Sequence, residues 1–256
     1  MKKILLLLAL TLSLAAFAGK LKVGASPVPH AELLNLVKDD LKAQGVDLEV
    51  IEINDYVTPN LLLADGSLDL NYFQSQPYLD KFAEERKLNL VGFGKIHVEP
   101  LGFYSKKYKK VEDIPEGATI TIPNDPTNEG RALILFHSKG LIKLKDPTNL
   151  YATEFDIVEN PKKFVFKTLE AAQLPRALDD ADATIINGNY AIPAGLKPDR
   201  DALFLEDKDS PYANLLTSRP GDENKEDVQK LVKALQSEKV RKYILDNYNG
   251  GVVPAF

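Results

Sequence analysis

The 256-residue chain contains no cysteine. Disulfides, thiolate metal sites and a cysteine nucleophile are therefore excluded. Histidine is nearly as scarce, and His30, His97 and His137 stand far apart in the chain, which speaks against a histidine-based metal centre. There is one apolar run at the N-terminus and no second long one, so nothing later approaches the roughly 20 residues of a membrane-spanning helix. No clustered basic stripe is present, and 32 Lys and Arg against 37 Asp and Glu give a formal charge of −5. That balance argues against a nucleic-acid partner. Also missing are the GxSxG elbow, the GxxxxGK(S/T) loop, the HExxH helix and any strong paired-carboxylate pattern. Acidic residues are plentiful, so counting alone leaves a carboxylate enzyme open.

What is present begins with an export signal. Lys2-Lys3 form a basic start, Ile4 to Leu14 an apolar core, and Ala16-Phe17-Ala18 a small-x-small cleavage site before Gly19. Loss of residues 1–18 takes two lysines from 32 basic against 37 acidic residues, leaving the mature chain near −7. About 240 residues suffice for one large domain or two modest ones.

The mature chain reads as alternating strands and helices. Leu21 to Ser26 is a short strand, and Leu33, Leu34, Val37 and Leu41 then make one apolar helix face. Leu48 to Ile53 alternates as a second strand, a helix starts at Thr58-Pro59 with Leu61 to Leu63 inward, and Leu68 to Tyr72 is a third strand. Gln76-Pro77-Tyr78 opens the next helix. This order implies a parallel sheet covered by helices. Val98 to Tyr104 reads as one further strand, and the basic run Ser105 to Lys110 as a surface crossover. A second α/β series follows, with strands at 119–123, near 164–166 and at 183–186, and a short helix at 173–178. A return crossover near Phe204 to Pro211 leads to a strand at 215–217 and helices at 226–235 and 239–248. The expected organisation is a signal peptide over 1–18, one lobe from 19–104 plus 212–256, and a second lobe from 105–211.

The chain is organised around Asn124-Asp125-Pro126-Thr127-Asn128-Glu129-Gly130-Arg131. These residues join a strand to a helix, and the unpaired N–H groups of a helix start favour an anion. Arg131 lies one turn in, with a planar fork that suits a carboxylate. Asp125 or Thr127 is the N-cap, and a capped helix with a solvated arginine fits the same spacing. Three other polar and aromatic clusters also follow strands: Asn54-Asp55-Tyr56, Tyr72-Phe73-Gln74 and Asn187-Gly188-Asn189-Tyr190. Open α/β sheets bind ligands at such ends, and the clusters come from both expected lobes.

Together with Phe73-Gln74…Pro77-Tyr78-Leu79, Val158 to Lys162, Gln173-Leu174-Pro175-Arg176, Glu206-Asp207-Lys208…Ser210-Pro211-Tyr212 and Asn249-Gly250-Gly251, these segments carry a resemblance. Over essentially the whole mature length the chain resembles the NlpA/MetQ family of substrate-binding lipoproteins, receptors for methionine ABC importers. The resemblance implies an α/β, two-lobe periplasmic-binding-protein fold of type II-like form, with two crossovers and the ligand in the interlobe cleft. It implies no catalysis, no cofactor and no metal. The implied partners are methionine or a related amino acid and the membrane permease and ATPase subunits of an importer. Another apolar amino acid is the alternative ligand, and an enzyme on the same fold the alternative class. Carried over by position, Arg131 pairs the ligand carboxylate, and Asn128 and Asn187 bond the head group. Tyr56, Phe73, Tyr78 and His97 surround the side chain. Aromatic walls suit a thioether, although these aromatics fit a protein core as readily. The family's lipobox supplies a cysteine for lipid attachment and this chain has none, so the expectation is a freely diffusing periplasmic receptor.

Overall fold

The computed structural model describes residues 20–207 and 210–256. The expected signal peptide over 1–18, with Gly19, lies outside the described residues. The chain opens with β1 (Lys20–Ala25), α1 (Glu32–Ala43), β2 (Asp47–Glu52), α2 (Thr58–Ala64), β3 (Leu70–Ser75), α3 (Gln76–Arg86) and β4 (Val91–Val98). Next come β5 (Gly102–Tyr104), β6 (Thr119–Pro123), α4 (Pro126–Ser138), β7 (Lys143–Leu144), β8 (Ile157–Glu159), β9 (Val165–Leu169) and α5 (Leu174–Ala177). After β10 (Ala183–Ile186) follow the short helices α6 (Gly188–Ala191) and α7 (Pro198–Asp201) and then β11 (Ala202–Leu205). The chain ends with β12 (Asn214–Ser218), α8 (Glu226–Leu235), α9 (Glu238–Asn247) and β13 (Val253–Pro254).

Two sheets result. The first has the order β13-β4-β12-β3-β1-β2, the second β11-β5-β10-β6-β9. β1 pairs in parallel with β2 and β3, as the β-α-β order requires. β12 inserts antiparallel between β3 and β4, so the first sheet is mixed and not purely parallel. That inversion follows from connectivity: β12 arrives from the other sheet rather than over a helical crossover. Each sheet has its own core. Val23, Leu33, Leu70, Leu216 and Leu231 belong to one, and Phe103, Ile120, Leu133, Phe136 and Ile185 to the other. The arrangement is the two-lobe α/β fold.

Three expectations are corrected. The single strand over Val98 to Tyr104 is two strands in different sheets, β4 and β5, so the chain crosses at Glu99-Pro100-Leu101 and not at Tyr104-Ser105. Pro100 has no N–H to continue a ladder, which is why β4 stops there. The return crossover starts later than Phe204, because β11 pairs antiparallel with β5 as the edge of the second sheet. Leu61 is 43% exposed, so α2 buries Leu63 but not the full run. Among the described residues no helix is long and apolar enough to cross a membrane.

Candidate functional site

α4 starts on Pro126 and is capped by Asp125, whose Oδ1 accepts the Asn128 N–H at 2.9 Å. The cap thus falls on Asp125 rather than Thr127, and Arg131 is turned inward with 6% exposure. It faces a cavity between the sheets. The first sheet and its loops contribute Tyr56, Phe73, Gln74, Ser75, Tyr78 and Asn214. From the second come Asn128, Arg131, Asn187, Gly188 and Asn189, while Glu99 and Tyr212 stand on the two crossovers.

The arginine is not the solvated side chain of a plain capped helix. Its Nε donates to Glu206 Oε1 at 3.0 Å, its Nη2 donates to Glu206 Oε2 and to the Glu99 carbonyl at 2.8 Å, and its guanidinium lies 4.5 Å from the Tyr212 ring centre. Arg131 therefore grips both crossovers at once. Burial works to lower the guanidinium's pKa, but the Glu206 carboxylate more than offsets it and holds the group above its ordinary range. Nη1 makes no hydrogen bond to the described residues.

An amide relay crosses the floor. Asn128 Nδ2 donates to the Asp125 carboxylate, lying 3.0 Å from both of its oxygens, and Asn128 Oδ1 accepts from Asn187 Nδ2 at 2.9 Å. Asp125 is acceptor-only when ionised, which sets the direction of the whole chain. Asn187 Oδ1 is left buried with no partner, an acceptor at the end of the relay. Asn189 presents the converse: its Oδ1 accepts from Tyr56 at 2.6 Å while its Nδ2 is buried and unpartnered. Buried polar atoms without partners are rare and costly. Here one acceptor and one donor without partners belong to residues lining the same cavity.

Tyr56, Phe73 and Tyr78 form one aromatic wall with Phe82 behind it, their ring centres 5.8–6.0 Å apart. Tyr78 donates to the Tyr56 carbonyl at 2.7 Å, which fixes the wall's shape. Gln74 is spent internally, donating to Asn60, Asn71 and Thr217. Across the cleft, Tyr190 donates to the Asn54 carbonyl at 3.2 Å and Tyr151 to the Pro77 carbonyl at 3.3 Å, alongside the Tyr56–Asn189 bond. The two sheets are held closed over the cavity.

Six of the seven expected site residues thus meet at one cavity; His97 does not. It is fully buried behind the lining, with Nδ1 2.5 Å from the Tyr72 hydroxyl and Nε2 2.9 Å from Glu99 Oε1. Nor are the histidines as scattered in space as in the chain: the rings of His30 and His97 lie 4.8 Å apart, and with Glu99 they offer donor atoms within 4.8 Å of one another. Those atoms are engaged with each other, with Tyr72 and with Asn214 Oδ1, which is 3.0 Å from His30 Nε2. Burial lowers His30 to about 4 and His97 to about 3, so both rings are neutral. Glu99, Asn189 and Tyr212 line the cavity beyond the expected set, and Glu206 is the partner of Arg131. Proximity to strand ends marked Asn189, but no local pattern marked the other three as neighbours of Arg131.

A closed cleft between two α/β lobes, lined by one guanidinium, amide groups and an aromatic wall, defines a substrate-binding protein of the periplasmic type. The NlpA lipoprotein family profile matches residues 21–256, and the chain belongs to that family. It is 47% identical over 211 residues to the D-methionine-binding lipoprotein MetQ of Salmonella typhimurium, covering 82% of this chain and 78% of that protein. Identity to the probable D-methionine-binding lipoprotein MetQ of Pasteurella multocida is 44%, covering 92% and 86%. Among solved structures, a nutrient binding protein from Burkholderia cenocepacia bound to methionine matches with a TM-score of 0.89 at 47% identity, covering 92% of this chain and all of that one. The family consists of substrate-binding proteins, not enzymes.

Proposed function

We propose that the protein is an extracytoplasmic receptor that binds methionine between its lobes and delivers it to the permease and ATPase of an ABC importer. The observation that carries this reading is the cavity's pairing of zwitterion chemistry with an aromatic wall, in a chain similar to a protein solved with methionine bound. Arg131 Nη1 and Asn189 Nδ2 take the carboxylate, Asn187 Oδ1 takes the ammonium, and Tyr56, Phe73 and Tyr78 take the thioether. Asn128 acts through Asn187, because both ends of its amide are already bonded. Residues 1–18 are the export signal, and the lobes turn about the crossover at Glu99 to Leu101.

Protein purified under native conditions, then denatured, is expected to release methionine detectable by mass spectrometry. Emptied protein is expected to bind L- or D-methionine in calorimetry and to contract in small-angle scattering on saturation. Absence of methionine from the released fraction, together with no heat on titration, would sink the reading. Asn187→Ala is expected to weaken binding by roughly 1–3 kcal/mol, the cost of a lost buried hydrogen bond. A titration in which this variant matches wild type would remove Asn187 from the site.

A further inference from the structure

The methionine reading leaves one buried charge at the cavity without a role. Glu99 follows β4, lines the cavity and is 6% exposed. Its partner is not the arginine: Arg131 bonds only the Glu99 backbone carbonyl and gives its fork to Glu206. Glu99 Oε1 instead accepts from His97 Nε2, with His30 Nε2 at 3.5 Å. With the proton on Nε2 facing Glu99, His97 Nδ1 accepts from the Tyr72 hydroxyl 2.5 Å away, and the two contacts together hold the ring. Both rings are neutral, so the carboxylate is oriented without being neutralised. Ionising a carboxyl buried in this way is costly unless a cation accompanies the charge, and a ligand can supply one.

Position agrees with charge. A β-carbon on Gly188 would stand 2.7 Å from Glu99 Oε2, so the carboxylate packs directly on the residue after Asn187. Asn187 Oδ1, the unpartnered acceptor at the end of the relay, is thus one residue away from it in the same cavity. We propose that Glu99 is the counter-charge for the ligand's α-ammonium, acting with Asn187 Oδ1, so that the site requires a free, protonated primary amine. The ligand class narrows to α-amino acids. α-Hydroxy acids, desamino acids and N-acylated amino acids of the same side chain are rejected. His97 and His30 are positioning residues that hold the carboxylate. This rests on the methionine reading and adds a specificity determinant to it.

Burial pushes the Glu99 pKa up, with His30, Arg131 and the Asn189 N–H drawing it back down. An arriving ammonium completes that reversal and sets the carboxylate as the anion.

The test is calorimetric titration of wild type and Glu99→Gln with methionine, its 2-hydroxy analogue and N-acetylmethionine, with melting curves confirming folding. Wild type is expected to prefer methionine by at least about 100-fold, as a site built around a buried polar partner rejects analogues lacking it. Glu99→Gln is expected to reduce that preference to below about 10-fold, chiefly by losing methionine affinity while the weak analogue binding stays. Gly188→Ala, which keeps the charge but crowds Oε2, is expected to lose methionine affinity in the same sense should Glu99→Gln fold poorly. Wild type binding methionine and the hydroxy analogue equally, or a folded Glu99→Gln retaining full preference, would overturn the ammonium assignment while leaving the methionine reading intact. Wild type binding none of the three would overturn both.

Discussion

Arg131→Ala is expected to lose methionine affinity by on the order of 2–5 kcal/mol, the usual cost of truncating one member of a buried, hydrogen-bonded charge pair. It is also expected to melt below wild type before any ligand is added. A ligand-facing arginine would leave the empty protein unchanged, but here Nε and Nη2 are already committed to Glu206 and the Glu99 carbonyl. Removing the guanidinium leaves Glu206 with an uncompensated charge, its side chain only 14% exposed, and unties both crossovers. Arg131→Lys keeps the charge but not the fork, so it is expected to fall between the two. Calorimetry and melting curves on the same preparations decide it. Wild-type affinity in Arg131→Ala would return Arg131 to a purely structural role; wild-type melting with lost affinity would mean that the Glu206 pair contributes nothing to the fold.

Much of this was legible before any coordinates, for a local reason. Asp125-Pro126-Thr127 is helix-start chemistry and located the start of α4, whereas spacing alone left open which residue caps it and whether Arg131 turns inward. The α1 and α8 faces were equally readable, because their apolar residues recur at helical spacing and pack on each other. What was not legible depends on long-range meetings. Glu206 is 75 residues from Arg131, and Tyr72 is 25 residues from His97. No periodicity encodes either contact. His97 illustrates the cost: the family resemblance put it in the pocket wall, whereas Tyr72 and Glu99 hold it one layer behind. The split of β4 from β5 was obscured because Val98 to Tyr104 keeps a strand-like composition across Pro100. The proline was the readable signal there, since a ladder cannot pass through it.

Glu206→Gln separates the two duties of the arginine. Glutamine keeps an acceptor for the Arg131 Nε but removes the charge, leaving a cation that is itself 7% exposed. Breaking a buried pair this way costs about 3 kcal/mol or more. For a chain of this size that lowers the unliganded melting temperature by roughly 6–12 °C. The effect of ligand is expected to run the other way. On the proposed reading Glu206 and the ligand carboxylate share one guanidinium in wild type, so each weakens the other's hold. Without the Glu206 charge, the ligand carboxylate supplies the missing partner, and methionine is expected to raise the melting temperature more than in wild type. In Arg131→Ala the ligand-induced rise is expected to vanish, so the two variants move in opposite directions from one ion pair. In the double variant Arg131→Ala with Glu206→Gln the unliganded loss is expected to fall short of the summed single losses by about 0.5–3 kcal/mol, the coupling of residues in direct contact. A smaller ligand-induced rise in Glu206→Gln than in wild type would show that the carboxylate aims the fork at the ligand instead of competing for it.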